Sequence, residues 1–141
     1  AGIDIIEPML VSSGHEPVAK VCIGSVRGDL HDIGKNLVAM MLKGSGFDVL
    51  DLGVDCRIEV FEEAVDNGAE VICLSALLST TRSEMRPIID HFRDQEVKVV
   101  VGGAVITEEF ANDIGADAFG VDASDAVRAV RGALGLAAVP A

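Results

Sequence analysis

The chain has 141 residues, which matches one globular domain and leaves no room for a second domain with its own core. Half of the residues are apolar and 24% are charged, so the composition excludes disorder for most of the chain. The 23 acidic and 11 basic residues give a net charge of −12, which repels nucleic-acid phosphates and anionic lipid headgroups, so we expect neither nucleic acid nor a membrane as a partner.

The first fourteen residues stand apart from the rest of the chain. They carry an apolar stripe at helical spacing, formed by Ile5, Ile6, Met9 and Leu10. The small and polar residues that follow are typical of a linker. We therefore divide the chain into residues 1–14, an appended or preceding helix, and residues 15–141, the main domain.

Five short apolar runs follow, each mostly β-branched. They are continuous rather than alternating, which is typical of strands buried on both faces of a parallel sheet. The predicted strands cover residues 21–26, 49–52, 71–74, 97–101 and 118–121.

Between the strands the apolar residues repeat at helical spacing. Glycines follow these stretches, and Thr107 and Ser124 are suited to cap helix starts. The predicted apolar helix faces consist of Leu37, Met41 and Leu42; Ile58, Phe61, Ala64 and Val65; Met85, Ile88, Ile89 and Phe92; Phe110 and Ile114; and Val127, Val130 and Leu134.

The order of elements is therefore βαβαβαβαβα. Such alternation with short connections requires a parallel sheet with right-handed crossovers and helices on both faces, which is a three-layer α/β fold. Five strands in this size range favour the doubly wound, flavodoxin-like strand order 2-1-3-4-5 over a six-stranded dinucleotide fold.

Two further features concern the cellular compartment. Asp4 and Glu7 stand where a secretory signal would be basic and then apolar, and no apolar stretch approaches the ~20 residues of a membrane span. Cys22, Cys56 and Cys73 lack the spacing of a redox or zinc motif, and their odd number suits a reducing compartment. We expect a cytoplasmic protein in which Cys22 and Cys73 act as small buried hydrophobes.

The ligand crevice of such a sheet lies beyond the carboxyl ends of its strands. The first strand is followed by Gly28-Asp-Leu-His-Asp-Ile-Gly-Lys-Asn36, where the glycine spacing excludes the GxGxxG dinucleotide fingerprint. The third strand ends at Ser75, where a phospho-receiver domain needs an aspartate. The usual nucleotide-binding and phosphate-receiving functions of this fold are therefore excluded.

A single histidine, His31, stands at this edge, two residues after Asp29. It is either a solvated or capping residue, or a metal ligand whose second ring nitrogen donates a hydrogen bond to Asp29. One such ligand does not make a tetrahedral zinc site built by the protein. A single histidine instead suits the axial position of a metal already held in a macrocycle.

These residues resemble the signature of cobalamin-binding domains. Asp29, His31 and Gly34 match its Asp-x-His-x-x-Gly motif. The run Leu74-Ser-Ala-Leu-Leu-Ser-Thr-Thr81 and the Gly102-Gly103 pair match its second and third segments. The form His-Asp-Ile-Gly-Lys-Asn is most similar to the corrinoid methyltransferase family, which includes the cobalamin domain of methionine synthase.

The resemblance implies that cobalamin binds with its benzimidazole displaced from cobalt and that His31 takes the axial position beneath the metal. Asp29 then hydrogen-bonds the imidazole, and Thr81 stands where the family's relay has a serine. From the residues alone Thr81 could instead cap a helix, since a glutamate follows it at capping-box spacing. That start would place Pro87 about six residues into the helix, so we favour Ser83 as the cap, which leaves Thr81 for the site.

The resemblance also implies contacts to the displaced tail. Ser75 is expected to hydrogen-bond the benzimidazole nitrogen, although a serine there can also satisfy a loop backbone group. Gly102 and Gly103 either let the backbone approach a flat ligand or form a tight turn. His91, on the exposed face of the third helix, is expected to be solvated. The expected cofactor contacts are Gly28, Asp29, His31, Asp32, Ile33, Gly34, Ser75, Leu77, Ser79, Gly102 and Gly103.

In function, the resemblance implies a corrinoid protein that carries a methyl group on cobalt from a donor-specific methyltransferase to an acceptor methyltransferase, with a reductive activator as a further partner. We expect a carrier component without a complete active site of its own. Two alternatives remain open: a cobalamin-responsive sensor, against which the acidic charge argues, and the cofactor subunit of a mutase, against which the segment after His31 argues.

The family also places a helical cap domain before the cobalamin domain. Residues 1–14 resemble the end of the last helix of that cap, and residues 15–141 then form the cobalamin-binding domain. We expect these residues to hold the cofactor from below and to leave its upper face open to solvent or to another chain.

Overall fold

The structure is a computed structural model that describes residues 18–26, 28, 33–76, 80–103 and 106–135. Several of the predictions above lie outside the described residues. These are the helix within residues 1–14 and the site residues Asp29, His31, Asp32, Leu77 and Ser79.

Strands and helices alternate along the described chain as predicted. The strands are β1 (Lys20–Val26), β2 (Asp48–Cys56), β3 (Val71–Ser75), β4 (Lys98–Gly102) and β5 (Ala118–Gly120). The helices are α1 (Ile33–Gly44), α2 (Ile58–Asp66), α3 (Met85–Phe92), α4 (Glu108–Ile114) and α5 (Ala123–Ala133), with a short 3₁₀ turn (Arg82–Glu84) before α3.

All strand pairs are parallel, and the sheet order β2-β1-β3-β4-β5 confirms the predicted flavodoxin-like topology. One apolar cluster joins the sheet to α1 and α5, and it contains Ile23, Leu42 and Val130. A second cluster joins the opposite face to α2, α3 and α4, and it contains Phe61 and Met85. The fold therefore has the three predicted layers, and the central strands are buried on both faces because helices cover both.

The prediction of which residues form the buried face of α1 is wrong in part. Leu42 is fully buried, but Leu37 is 48% exposed and Met41 is 36% exposed, while Lys35 and Ala39 share the buried face with Leu42. The helix carries apolar residues all around its middle turns, so periodicity could not select the buried side. The burial of Lys35 could not be anticipated, because it depends on a carboxylate from another strand.

Strand β2, at one edge of the sheet, is longer than the predicted run, which ended at Leu52. Its pairing with β1 slips twice, because Ile23 pairs with Asp51, Gly24 with Gly53 and Val26 with Cys56. These two bulges insert extra residues at the carboxyl end of the strand.

The structure corrects two of the predicted caps. Thr107 caps α4 as predicted, since its side chain accepts a hydrogen bond from the Phe110 N–H at 3.0 Å. Asp122 rather than Ser124 caps α5. Ser83 is not the cap of α3, because it lies within the 3₁₀ turn and its hydroxyl donates to the carbonyl of Thr80.

Cys22 and Cys73 are buried as predicted, and so is Cys56. Among the described residues, no helix has the length and apolar character that crossing a membrane requires.

Candidate functional site

An open slot of about 720 Å³, including its mouth, lies on the face of the sheet that α1 and α5 cover. It opens where the carboxyl ends of β3, β4 and β5 meet the first turns of these two helices. The slot is lined by Ile23, Gly34, Lys35, Leu37, Val38, Cys73, Leu74, Ser75, Val100, Val101, Gly102, Gly103, Gly120, Val121, Asp122, Ala123 and Ala126.

Small residues create this slot. A Cβ added at Gly34 would meet no atom within 4 Å, so the wall formed by α1 is open at that point. At Gly120 a Cβ would lie 2.9 Å from the Ala126 Cα, so α5 packs directly on β5. Ile23, Cys73 and Val100, whose side chains lie on this face of the sheet, form an apolar floor between the two helices. A slot of this shape suits a flat, largely apolar group.

Gly102 and Gly103 differ in role, although both line the slot. Gly103 has φ +135°, and a Cβ on it would lie 2.0 Å from the Ala76 carbonyl oxygen. At this residue the tight turn alone requires glycine. Gly102 ends β4 without a positive φ, and a Cβ there would lie 3.1 Å from the Gly120 carbonyl oxygen. The tight turn therefore accounts for Gly103, and the close packing of β4 against Gly120 leaves little room for a side chain at Gly102.

Few polar side chains reach the slot. Ser75, at the end of β3, is half-buried at its edge. Lys35 is only 3% exposed, and its Nζ donates to Asp51 Oδ1 at 2.7 Å and to Asn36 Oδ1 at 2.5 Å. Asp122 accepts a hydrogen bond from the Asp125 N–H as the cap of α5. Ser75 is thus the hydroxyl best placed at the slot to meet a polar atom of a ligand.

Thr81 lies beside the loop that follows β1. It is 7% exposed, and its Cγ2 would be 3.5 Å from a Cβ on Gly28. Its side chain makes no capping hydrogen bond to the 3₁₀ turn that it precedes. Pro87 is the third residue of α3 and so falls in the first turn, as predicted. The structure therefore brings Thr81 to Gly28, at the start of the segment that carries Asp29 and His31.

Two aspartates of β2 were missed by the sequence analysis. Asp55 Oδ1 accepts a hydrogen bond from the Gly28 N–H at 2.7 Å, and Asp51 pairs with Lys35. Burial alone would raise the pKa of Asp51, but hydrogen bonds from Lys35 and from the Gly53 N–H outweigh it and hold the pKa below the usual value. The clustering of aspartate and glycine in Asp51-Leu-Gly-Val-Asp55 was the available signal.

His91 lies far from this edge, on α3. It is exposed as predicted, but its Nε2 also lies 2.7 Å from Glu62 Oε2 of α2. Within the described ranges, no group of three histidine, cysteine, aspartate or glutamate side chains could hold a metal ion.

The predicted site residues thus fall into three groups. Gly34, Ser75, Gly102 and Gly103 line one slot, and Gly28 and Thr81 lie together beside the β1–α1 connection. Ile33 is the first residue of α1. Asp29, His31, Asp32, Leu77 and Ser79 lie outside the described residues.

A sequence model of the B12 binding domain matches residues 19–131. The chain belongs to the B12-binding domain family. This B12-binding domain is 40% identical over 141 residues to trimethylamine corrinoid protein 2 of Methanosarcina mazei. That match covers 95% of this chain and 65% of the relative, so the chain spans about two thirds of the length of the corrinoid protein it matches.

Solved structures agree with this family. A cobalamin-binding protein from Desulfitobacterium hafniense has a TM-score of 0.76 and 33% identity, over 82% of this chain and 58% of that one. The methanol:cobalamin methyltransferase complex MtaBC from Methanosarcina barkeri has a TM-score of 0.75 and 28% identity, over 90% of this chain and 52% of that one. The B12-binding domain therefore shares its fold with corrinoid proteins.

Proposed function

We propose that this B12-binding domain binds cobalamin and serves as the methyl carrier of a methyltransferase system. The observation that carries the proposal is the slot between α1 and α5. It brings four of the residues matching the family signature, Gly34, Ser75, Gly102 and Gly103, around one apolar space. When bound, the cobalt of the cofactor supplies the methyl-transfer chemistry, and the protein supplies position and ligands.

The slot fits the benzimidazole tail of cobalamin. Its floor of Ile23, Cys73 and Val100 offers an apolar surface to a planar ring, and Gly34 leaves the wall formed by α1 open to close approach. The hydroxyl of Ser75 donates a hydrogen bond to the ring nitrogen that the tail would otherwise offer to cobalt. A tail held there would not be free to coordinate the metal, so the protein would hold cobalamin in the base-off form.

His31 would hold the cobalt through one ring nitrogen, and Asp29 would accept a hydrogen bond from the other ring nitrogen. Thr81 is buried with its methyl group beside Gly28, and its hydroxyl would extend this relay. The described ends of the segment support this assignment. Gly28 adjoins Thr81, and Gly34 lies on the rim of the slot, so the four residues 29–32 connect the two parts of the site.

The relatives support a proposal about the partners. One relative is a trimethylamine corrinoid protein, and one structural neighbour comes from a methanol:cobalamin methyltransferase complex. We propose that a cytoplasmic donor methyltransferase delivers a methyl group from a small methylated amine or alcohol and that a second methyltransferase removes it. We further propose a reductive activator as a partner, which would supply electrons to return oxidised cobalt to its reduced state.

Replacing the histidine tests the proposal directly. The 141-residue chain mixed with hydroxocobalamin should give the visible spectrum of a histidine-ligated, base-off corrinoid. The His31→Ala variant should retain a base-off cofactor with water in place of imidazole and a shifted spectrum. The matched control is His91→Ala, since His91 pairs with Glu62 away from the slot and its loss should leave the spectrum unchanged.

Two results contradict the proposal. A wild-type spectrum with the benzimidazole still coordinated would exclude the base-off form. Identical spectra for the wild-type protein and His31→Ala would remove His31 from the metal.

A further inference from the structure

Strand β2 contacts both described ends of the segment 29–32. On the amino side, the Gly28 N–H donates to Asp55 Oδ1 at 2.7 Å. On the carboxyl side, Lys35 Nζ donates to Asp51 Oδ1 at 2.7 Å. Two carboxylates from one strand, four residues apart, therefore hold Gly28, three residues before His31, and Lys35, four residues after it.

The backbone of β2 is unusual where these carboxylates lie. The two bulges in its pairing with β1 fall between Asp51 and Cys56. Asp55 has φ +54°, and within the described ranges it is the only residue other than glycine with a positive φ. Bulges and strained residues next to binding sites commonly redirect side chains. Here they coincide with a carboxylate that points at the chain preceding the proposed metal ligand.

Cys56 anchors this segment to β1. It is buried, and its Sγ would lie 2.8 Å from a Cβ on Gly24, so the cysteine occupies the space that a larger residue on β1 would fill. Its thiol lies 3.4 Å from the Leu52 carbonyl oxygen and donates to it. The segment 51–56 is therefore fixed against the sheet and can act as a rigid support.

The ion pair between Lys35 and Asp51 also restricts the position of the chain. The Lys35 side chain is 2% exposed and that of Asp51 is 38% exposed, so the ammonium is buried while the carboxylate lies at the surface. A buried cation requires its partner, and the pair permits few alternative arrangements of the first turn of α1.

We propose that Asp51 and Asp55 are positioning residues for the proposed axial ligand: by holding Gly28 and Lys35, on either side of residues 29–32, they support His31 in binding the metal. This inference rests on the proposed function. Neither residue belongs to the signature by which the family resemblance was drawn, and neither touches the slot.

Amide hydrogen exchange in the cofactor-free chain tests the contact itself. Asp55→Gly removes the acceptor but tolerates the positive φ, and Asp55→Asn keeps an acceptor oxygen and also tolerates that conformation. We expect the Gly28 amide to exchange about tenfold faster in Asp55→Gly, the effect of losing one charge-assisted hydrogen bond, and to be largely restored in Asp55→Asn. Unchanged exchange in Asp55→Gly would overturn the inference.

Cobalamin binding tests the consequence for the ligand. Asp55→Gly and Asp51→Ala should each weaken hydroxocobalamin binding about tenfold and raise the pH at which histidine ligation is lost on acidification, while Asp55→Asn should behave like the wild-type protein in both measurements. The control is Asp48→Asn, which removes the same charge from the opposite end of β2 and should leave both unchanged. Faster Gly28 exchange with an unaltered ligation pH would also overturn the inference.

The His31→Ala and Asp55→Gly variants together distinguish a failure of this inference from a failure of the proposed function. If His31→Ala leaves the cobalamin spectrum unchanged, the proposed axial ligand fails and so does the assigned purpose of the two aspartates. Normal loss of ligation in His31→Ala together with wild-type behaviour of Asp55→Gly would contradict the positioning role alone.

Discussion

At Gly103 a single hydrogen in place of a methyl group decides whether the turn after β4 can form. A Cβ there would lie 2.0 Å from the Ala76 carbonyl oxygen, at a φ that other residues rarely adopt. We expect Gly103→Ala to destabilise the fold by ~3 kcal/mol or more. The measurement is the free energy of unfolding in urea. Gly132→Ala is the control, because its Cβ would meet no atom within 4 Å and an alanine within α5 should stabilise by ~0.5–1 kcal/mol.

A second consequence at the residue scale concerns acid. The pKa of Asp51 is lowered in the folded protein by its hydrogen bonds from Lys35 and Gly53, which outweigh its burial. A carboxyl group of this kind stabilises the fold above its unfolded pKa of about 4, and the contribution disappears as the pH falls through the lower folded value.

We therefore expect wild-type stability to fall more steeply between about pH 5 and pH 2 than that of Asp51→Asn. Urea unfolding at a series of pH values measures both slopes. Asp48→Asn should keep the wild-type slope. Equal slopes for the wild-type protein and Asp51→Asn would contradict this prediction, because they would mean that the ionised Asp51 carboxylate does not contribute to the free energy of unfolding.

At the scale of elements, the start of α5 carries a reciprocal cap. Asp122 accepts from the Asp125 N–H at 2.8 Å, and Asp125 Oδ2 accepts from the Val121 N–H at 2.8 Å. Asp122→Ala leaves a helix N–H without its acceptor and should cost ~1 kcal/mol. Ser124→Ala is the matched control, and thermal unfolding should show little change in it. A larger loss in Ser124→Ala than in Asp122→Ala would reverse the assignment of the cap.

The same helix illustrates what a sequence reveals about elements. Each strand and helix could be recognised, because continuous apolar runs and helical periodicity are local signals. The cap of α5 was misplaced by two residues, since both Asp122 and Ser124 can cap and only the backbone conformation decides between them.

The candidate site shows the corresponding limit. Gly34, Ser75, Gly102 and Gly103 could be grouped in advance because parallel strands end at one edge. Asp55 could not, because its contact with Gly28 depends on two bulges that no periodicity predicts. The buried face of α1 was misjudged for a similar reason, since the neutralising partner of Lys35 comes from β2.

At the scale of the whole molecule, the three cysteines lie within the core and report on its integrity. Burial raises the pKa of the Cys22 thiol to about 12 and that of Cys56 to about 11, and it raises the pKa of Cys73 as well. Since the thiolate is the reactive form, an aromatic disulfide reagent at pH 8 should modify none of them in the native protein.

We expect all three thiols to be modified together, at the rate of global unfolding, as urea is added. Following the absorbance of the released thiol measures this rate. Rapid modification of one thiol per chain in native buffer would reveal local opening around that cysteine and would contradict a single cooperative core.

The two bulges of β2 also disfavour edge-to-edge pairing between two molecules of this protein. β2 is an edge strand, and an edge of regular pleat offers unpaired N–H and C=O groups to a strand of another molecule. Here the pleat is interrupted twice, and Asp48, Asp51 and Asp55 place negative charge along the exposed edge. β5, at the other edge, is only three residues long. Both edges therefore disfavour pairing with a strand of another molecule. The bulges that place Asp51 and Asp55 beside Lys35 and Gly28 thus also reduce the tendency to aggregate.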